Sequence, residues 1–374
     1  MIYLNNAATT YPKPEAVKEA FAKRLDLPPS GQYRSAGLED DADVFDICRK
    51  RIGSLLKISE TDRIFFSSGS TEGLNSIIAG LGIPADKIIT TVTEHNSVLR
   101  PLYNLPGIKG KPLLLRCDEN GTVSPGDLEA AAGHGMKAFI LNHCSNVTGA
   151  VQDAEAFGRI AKKHGILFIL DVSQSAGCVE VDVDGWNADA VAFTGHKSLM
   201  GPQGTGGYYV RKGIGLKPLK YGGTGYDSSR VVYDGDDYED EVGTMNSVGI
   251  AALSEAVDWV SSLRTDEIKR REMALSKQLI YALSEFKGIH VIGSGLKDRG
   301  PVVSFFSDTL PPSDLAYILQ NSYGIVTRAG LHCAPLIHDY IGSGKKGTLR
   351  VSFSGFNTKE DVDAVIAALR DILG

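Results

Sequence analysis

No C-x-x-C pair occurs among the five cysteines of this chain, Cys48, Cys117, Cys144, Cys178 and Cys333, which lie far apart in sequence. That scatter excludes a zinc framework and a disulfide scaffold, so no metal is expected and any special cysteine here is a reactive one. No long Lys/Arg cluster interrupts a chain of formal net charge -6, so no nucleic-acid partner is expected. No apolar run approaches the length of a membrane span, and Met1 to Asn6 lacks the basic region and apolar core of a secretory signal. The expected location is therefore the cytoplasm, with no membrane partner. Internal repeats and low-complexity tracts are also absent. What is present is 374 residues, 43% hydrophobic and 22% charged, enough for a large core in two or three domains.

From about residue 60 to 210 short β-like runs alternate with helical stretches, the pattern of an α/β fold with one large, mostly parallel sheet covered on both faces. The expected strands are Arg63 to Phe66, Lys87 to Val92, Pro112 to Arg116, Lys137 to Asn142, Ile166 to Asp171, Asp189 to Phe193 and Gly206 to Val210. Helices are expected over Thr71 to Gly80 and Asp153 to His164, the latter ended by Gly165. Tyr221 to Gly243 is glycine-rich, acidic and without periodicity, hence a long loop. Helix follows over Ser247 to Phe286. Pro301 to Phe306, Pro312 to Gln320, Thr348 to Phe353 and Thr358 to Leu373 then read as strand, helix, strand, helix. The expected division is a large domain over 15–250 and a small α+β domain made of 1–14 and 251–374.

Asp171 closes the apolar run Ile166 to Leu170, at the carboxyl end of a strand, where open α/β sheets place their ligands. Lys197 follows one strand later. An aspartate can pair with a protonated pyridine nitrogen and a lysine can form a Schiff base, the two groups a pyridoxal phosphate site needs. A lysine alone is most often a solvated surface residue. Here it lies in Thr194-Gly195-His196-Lys197, between the apolar strand and the glycine-rich run Gly201 to Gly207, a close-approach loop unlike an ordinary exposed turn.

Gly69-Ser70-Thr71-Glu72-Gly73 follows the first expected strand and opens a helix, so free N–H groups, two hydroxyls and the helix dipole converge where a phosphate would sit. The alternative is an ordinary helix cap, since Ser/Thr followed by Glu is a common capping pattern.

These residues belong to a longer series: Tyr3 to Ala8, Gly69 to Asn75, Thr93-Glu94-His95-Asn96, His143 to Gly149, Asp171 to Gln174, Thr194 to Lys197 and Arg328 to Pro335. In that order, over nearly the whole chain, they resemble the PLP-dependent class V aminotransferase family of fold type I, in its cysteine desulfurase and selenocysteine lyase branch. The loop Arg328-Ala329-Gly330-Leu331-His332-Cys333-Ala334-Pro335 is similar to the signature of group II cysteine desulfurases. The resemblance implies a seven-stranded type of sheet with a smaller C-terminal α+β domain.

It also implies roles. Lys197 would bond the cofactor, Asp171 would pair with its ring nitrogen, and Asn146 and Gln174 would reach its 3-oxygen. His95 would stack on the ring and serve as a proton carrier, and Ser70, Thr71, Thr194 and His196 would hold the phosphate. Thr244 matches a phosphate contact lent across a homodimer. Arg350, with Arg328 as second candidate and Asn146 beside them, would bind the substrate carboxylate, a task suited to a planar guanidinium. Without that context, either arginine reads as a surface ion-pair residue.

Cys333 would take sulfur from L-cysteine or a related amino acid as a persulfide, for delivery to an acceptor protein. A lone cysteine is usually inert, but Arg328 and His332 make an electropositive setting in which a thiolate can form. Selenocysteine lysis, cysteine sulfinate desulfination, another β-elimination and, less favoured, amino transfer remain alternatives. Cys144 and Cys178, near the cofactor motifs, are further thiols to test. Departures from the family pattern are Leu331 for a histidine, Asn5 for a frequent aspartate and Met245 for a frequent proline.

Overall fold

A computed structural model describes residues 1–27, 43–133, 135–224, 228–232 and 241–374. In chain order the elements are β1 (Ile2–Tyr3), α1 (Glu15–Leu25), α2 (Val44–Leu56), β2 (Ile64–Ser67), α3 (Ser70–Leu81), β3 (Ile88–Thr91), α4 (Asn96–Asn104), β4 (Leu113–Leu115), α5 (Pro125–Ala131), β5 (Ala138–Asn142), α6 (Ala154–His164) and β6 (Leu167–Asp171). Then come β7 (Ala190–Thr194), β8 (Gly206–Val210), α7 (Ser247–Ser262), α8 (Thr265–Leu283), β9 (Ile289–Ile292), β10 (Val302–Ser307), α9 (Pro312–Tyr323), β11 (Ile325–Val326), β12 (Arg328–Gly330), β13 (Thr348–Ser352) and α10 (Lys359–Leu373).

Seven strands form the large sheet in the order β2-β8-β7-β6-β5-β3-β4, with β8 antiparallel to both neighbours. Successive side chains point to opposite faces, so each central strand feeds two cores. Phe139, Leu141, Phe168, Leu170 and Val191 pack on α2, α6 and α7 through Ile52, Phe157 and Leu253. Ala138, Ile140, Ile169 and Ala192 pack on α3 and α4 through Leu74, Ile77, Val98 and Leu102. Burial on both faces is why these strands read as continuous apolar runs.

A second sheet, β12-β13-β10-β9, is wholly antiparallel, and its core joins Val303, Phe305, Leu349 and Val351 to Leu279, Leu315 and Val365 of α8, α9 and α10. The N-terminus is tied to it: β1 pairs in parallel with β11, and Leu4 lies in the same core. Thr358 and Asp361 form a capping box at the start of α10, which fixes that boundary.

The expected helix over Ser247 to Phe286 is two helices. Arg264 takes a left-handed backbone (φ 61°) between them, and Asp266 and Glu267 supply the acidic first turn that starts α8. Arg328 to Gly330, expected in a loop, form β12, paired with β13 so that Arg328 stands opposite Arg350. Of the expected loop Tyr221 to Gly243, residues 225–227 and 233–240 lie outside the described residues. No described helix is long and apolar enough to cross a membrane.

Candidate active site

The carboxyl ends of β5, β6 and β7, and the turns after β2 and β3, surround a cavity of about 510 Å³. Ser70, Thr71, His95, Asn146, Asp171, Gln174, Thr194, His196, Lys197, Arg328 and Arg350 all line it. Cys333 and Thr244 do not. Thr244 is exposed on the segment before α7.

Asp171 is buried, and its carboxylate accepts the Ser173 backbone N–H at 2.9 Å and the Ser173 hydroxyl. These bonds leave its second oxygen as an acceptor. Burial pulls the Lys197 amine down to about 8, with Arg350 and Arg328 adding to the shift and Asp171 opposing it. Lys197 therefore carries an uncharged fraction near neutral pH that an ordinary lysine lacks. Its backbone is anchored by the N-terminal segment: Thr10 Oγ1 donates to the carbonyls of His196 and Lys197 at 3.0 Å, and Lys13 Nζ donates to that of His196 at 2.9 Å.

His95 caps α4. Its Nδ1 accepts the Ser97 backbone N–H at 3.0 Å, which places the ring proton on Nε2. Burial, with the charge of Lys197, holds its pKa at about 4, so the imidazole is neutral. Gln174 gives one amide hydrogen to Ala7 O at 2.9 Å. Asn146 gives one to His332 O at 2.6 Å, and its Oδ1 is buried with no partner.

At the other end of the cavity α3 begins without a side-chain cap. Gly69 stands at its N-cap with φ 149°, a conformation open to glycine, and Glu72 instead bonds the N–H and hydroxyl of Ser68. The first N–H groups of α3 are left for another acceptor, beside Ser70, Thr71, Thr194 and His196.

Arg350 is fully buried, donating from Nη1 to Asn146 O at 2.9 Å and from Nη2 to Asn5 Oδ1 at 3.2 Å, while its Nε has no partner. Burial lowers its pKa to about 9. Arg328 donates from Nη2 to Cys333 Sγ at 3.4 Å. His332 and Cys333 both hold left-handed backbones (φ 50° and 61°), and the Cys333 carbonyl accepts the Asn96 N–H at 2.7 Å. Cys333 is half-buried and faces a neighbouring cavity of about 360 Å³ that shares Thr71, His95 and Ser97 with the first.

The other thiols lie elsewhere. Cys144 and Cys178 are 1% and 0% exposed, and burial raises both, Cys144 to about 12, which makes them poor nucleophiles. Two residues of the site depart from expectation. His332, expected to add positive charge beside Cys333, is held neutral: burial, with the charges of Arg350 and Arg328, pushes its imidazole well below the ordinary range, its Nε2 donates to Thr348 O, and its Nδ1 is buried and unpartnered in the cavity wall. Glu94 is buried beneath the cavity, where Oε1 accepts the Asn142 N–H at 3.0 Å and the Thr91 hydroxyl at 2.8 Å. Their position inside the motifs around His95 and Cys333 was the available signal.

A relative from Methanothermobacter thermautotrophicus named probable cysteine desulfurase is 32% identical over 333 residues, 87% of this chain and 83% of its own. One from Pyrococcus abyssi with the same name is 31% identical over 385 residues, 100% and 94% of the two chains. Among solved structures, the apo cysteine desulfurase of Thermococcus onnurineus NA1 matches with a TM-score of 0.87 at 31% identity, over 100% of this chain and 94% of that one. The cysteine desulfurase CsdA of Escherichia coli matches with a TM-score of 0.86 at 28% identity, over 100% and 95%. The family model described as Aminotransferase class-V matches residues 2–365, from β1 into α10. A match that takes in both sheets and every wall of the cavity has one reading: the chain belongs to the class-V aminotransferase family.

Proposed function

We propose that this protein is a pyridoxal-phosphate-dependent cysteine desulfurase that releases L-alanine from L-cysteine and keeps the sulfur on Cys333 as a persulfide. The observation that carries the reading is the Arg328 guanidinium 3.4 Å from the Cys333 sulfur, at the edge of the cavity that holds Lys197 and Asp171.

The residues fit the cofactor. The cavity volume suits a small cofactor with an amino-acid substrate, the uncapped start of α3 suits its phosphate, and the unpartnered Asn146 Oδ1 marks a polar position left for a ligand. Asp171 would pair with the ring nitrogen, His95 would lie on the ring face, and Gln174 and Asn146 would reach the ring oxygen. Ser70, Thr71, Thr194 and His196 would bind the phosphate. Thr244, outside this cavity, fits a phosphate contact supplied by a second copy of the chain in a homodimer. Bound there, pyridoxal phosphate supplies an aldehyde that condenses with amines and a ring that accepts the electron pair left when a Cα–H bond breaks.

Arg350 and Arg328 bind and orient the substrate carboxylate. Lys197, uncharged in part at neutral pH, takes the Cα proton. The Cys333 thiolate attacks the substrate sulfur; the S–S bond forms as the Cβ–S bond breaks, and the electron pair left on Cβ is protonated to give alanine. Neutral His95, which lines both cavities, is placed to carry a proton between them.

Incubation of the cofactor-loaded protein with L-cysteine, L-selenocysteine and L-cysteine sulfinate, with alanine quantified and Cys333 analysed by mass, tests the reading. Alanine from L-cysteine with one extra sulfur on Cys333 is the expected result. Cys333→Ala should keep the cofactor absorbance and lose the persulfide. Alanine and sulfide released by that variant at the wild-type rate would overturn the role of Cys333 and favour a β-elimination.

A further inference from the structure

The cavity that Cys333 faces adjoins the one holding Lys197 and Asp171. It is an open cleft of about 360 Å³ between α3, the length of α4 from His95 to Leu105, and the Cys333 loop. The two cavities share Thr71, His95 and Ser97, so they adjoin at these residues. A sulfur carried on Cys333 is thus reached from a side that the amino-acid substrate does not fill.

The chemistry of this second cavity is one-sided. No aspartate or glutamate lines it, while Arg100 does, and Arg100 is exposed with no ion pair to any described residue. Arg100 lies close enough to His95 to depress its pKa, which sets the guanidinium near the place where the two cavities adjoin. Asn75 and Asn104 each spend one amide hydrogen on a backbone carbonyl of their own helix, at 2.7 and 2.9 Å, and keep their remaining polar atoms. Pro101 and Leu105 supply an apolar patch. A volume near the lower end of the small-molecule range, one unpaired planar cation, amides and a little apolar surface describe a site for a small anionic ligand.

We propose that this cavity is the acceptor site for the sulfur and takes a small thiol bearing a carboxylate, which pairs with Arg100 while its sulfur meets Cys333. The inference rests on the reading of Cys333 as the persulfide carrier. The acceptor thiolate attacks the outer sulfur of the persulfide; a new S–S bond forms, the bond to Cys333 breaks, and its electron pair returns to Cys333 as a thiolate beside Arg328. The acceptor leaves as a persulfide, so atoms and electrons balance with no added oxidant or reductant. Amino acid and acceptor approach Cys333 from adjoining cavities.

The test uses cofactor-loaded protein charged with L-cysteine, freed of excess substrate and discharged with mercaptopropionate, mercaptoethanol or cysteamine. Loss of the extra sulfur from the Cys333 peptide is followed by mass. Comparing each thiol between wild type and variant cancels its intrinsic reactivity. Arg100→Gln should lower the ratio of mercaptopropionate to mercaptoethanol rates roughly fivefold, the scale of a solvent-accessible ion pair. Arg100→Lys should restore part of that ratio, and Arg100→Glu should shift the preference to cysteamine. An unchanged ratio in Arg100→Gln and Arg100→Glu, with sulfur still loaded on Cys333, overturns the acceptor site alone. Wild-type protein that never carries sulfur on Cys333 overturns the desulfurase reading and the acceptor site with it.

Discussion

Arg328 Nη2 stands 3.4 Å from the sulfur of Cys333, and the same arginine faces Arg350 across the antiparallel pair β12 and β13. One side chain therefore touches the thiol while lining the cavity that Arg350 also lines. The guanidinium N–H donated to that sulfur fixes where the thiol points. Arg328→Gln removes this charged donor and should slow alkylation of Cys333 by iodoacetamide about tenfold, the scale of one hydrogen bond to a charged group. Arg328→Lys should recover part of the rate. Peptide-resolved alkylation kinetics check this, and equal rates in all three proteins would remove Arg328 from the account.

Glu94 carries a prediction about stability. Burial pushes its carboxyl up to about 8, the nearby Asp171 charge adds to the rise, and its Oε2 has no partner. The folded chain then keeps this proton up to about pH 8, while the unfolded chain loses it near the ordinary value of 4.5. Between those values folding takes up a proton, so this group's contribution to stability falls as pH rises. Glu94→Gln, which cannot ionise, removes that slope. Urea unfolding of the cofactor-free protein should show the variant gaining on wild type from about pH 5 to pH 8, by on the order of a few kcal/mol. Parallel curves would mean that Glu94 is charged in the fold.

Lys197 sets the pH dependence of cofactor capture. Its amine is held at about 8, below the ordinary 10.5, chiefly by burial. Only the uncharged amine attacks an aldehyde, so the rate at which cofactor-free protein takes up pyridoxal phosphate should rise with pH and level off above about 8. Stopped-flow absorbance follows this directly. A rate still climbing towards pH 10 would show that the lysine is not desolvated.

The strands of the large sheet were legible in sequence to within about one residue at each end, because burial on both faces turns β5, β6 and β7 into unbroken apolar runs ended by Asn142, Asp171 and Thr194. The same clarity placed Asp171 and Lys197. Helix α4 was not legible: it carries Pro101 in its interior and is capped by the side chain of His95, neither of which is a usual start or continuation signal. Strand β12 is three residues long and ends in glycine, so only its pairing with β13 identifies it. That Cys333 faces a cavity adjoining the cofactor cavity follows from two successive left-handed residues and the bond from Asn96 to its carbonyl, which no local pattern announces.

Asn5 marks the last prediction. Its Oδ1 accepts Arg350 Nη2 at 3.2 Å, a neutral acceptor for a fully buried cation whose charged form burial disfavours. Asn5→Asp would put a carboxylate of nearly the same shape in that place. Because Arg350 is already buried and has no ion pair among the described residues, the added charge completes a pair, and the fold should gain on the order of 1–3 kcal/mol. The gain should be greatest at neutral pH, where Arg350 is charged and the introduced carboxyl is ionised, and should shrink in acid as that carboxyl takes a proton. The same pair competes with the substrate carboxylate for the guanidinium, a loss of ground-state and transition-state binding alike. KM for L-cysteine should therefore rise several-fold with kcat little changed. Thermal unfolding and steady-state kinetics on one preparation separate the two effects: a raised melting temperature with unaltered KM would leave Arg350 as a structural residue and pass the carboxylate to Arg328.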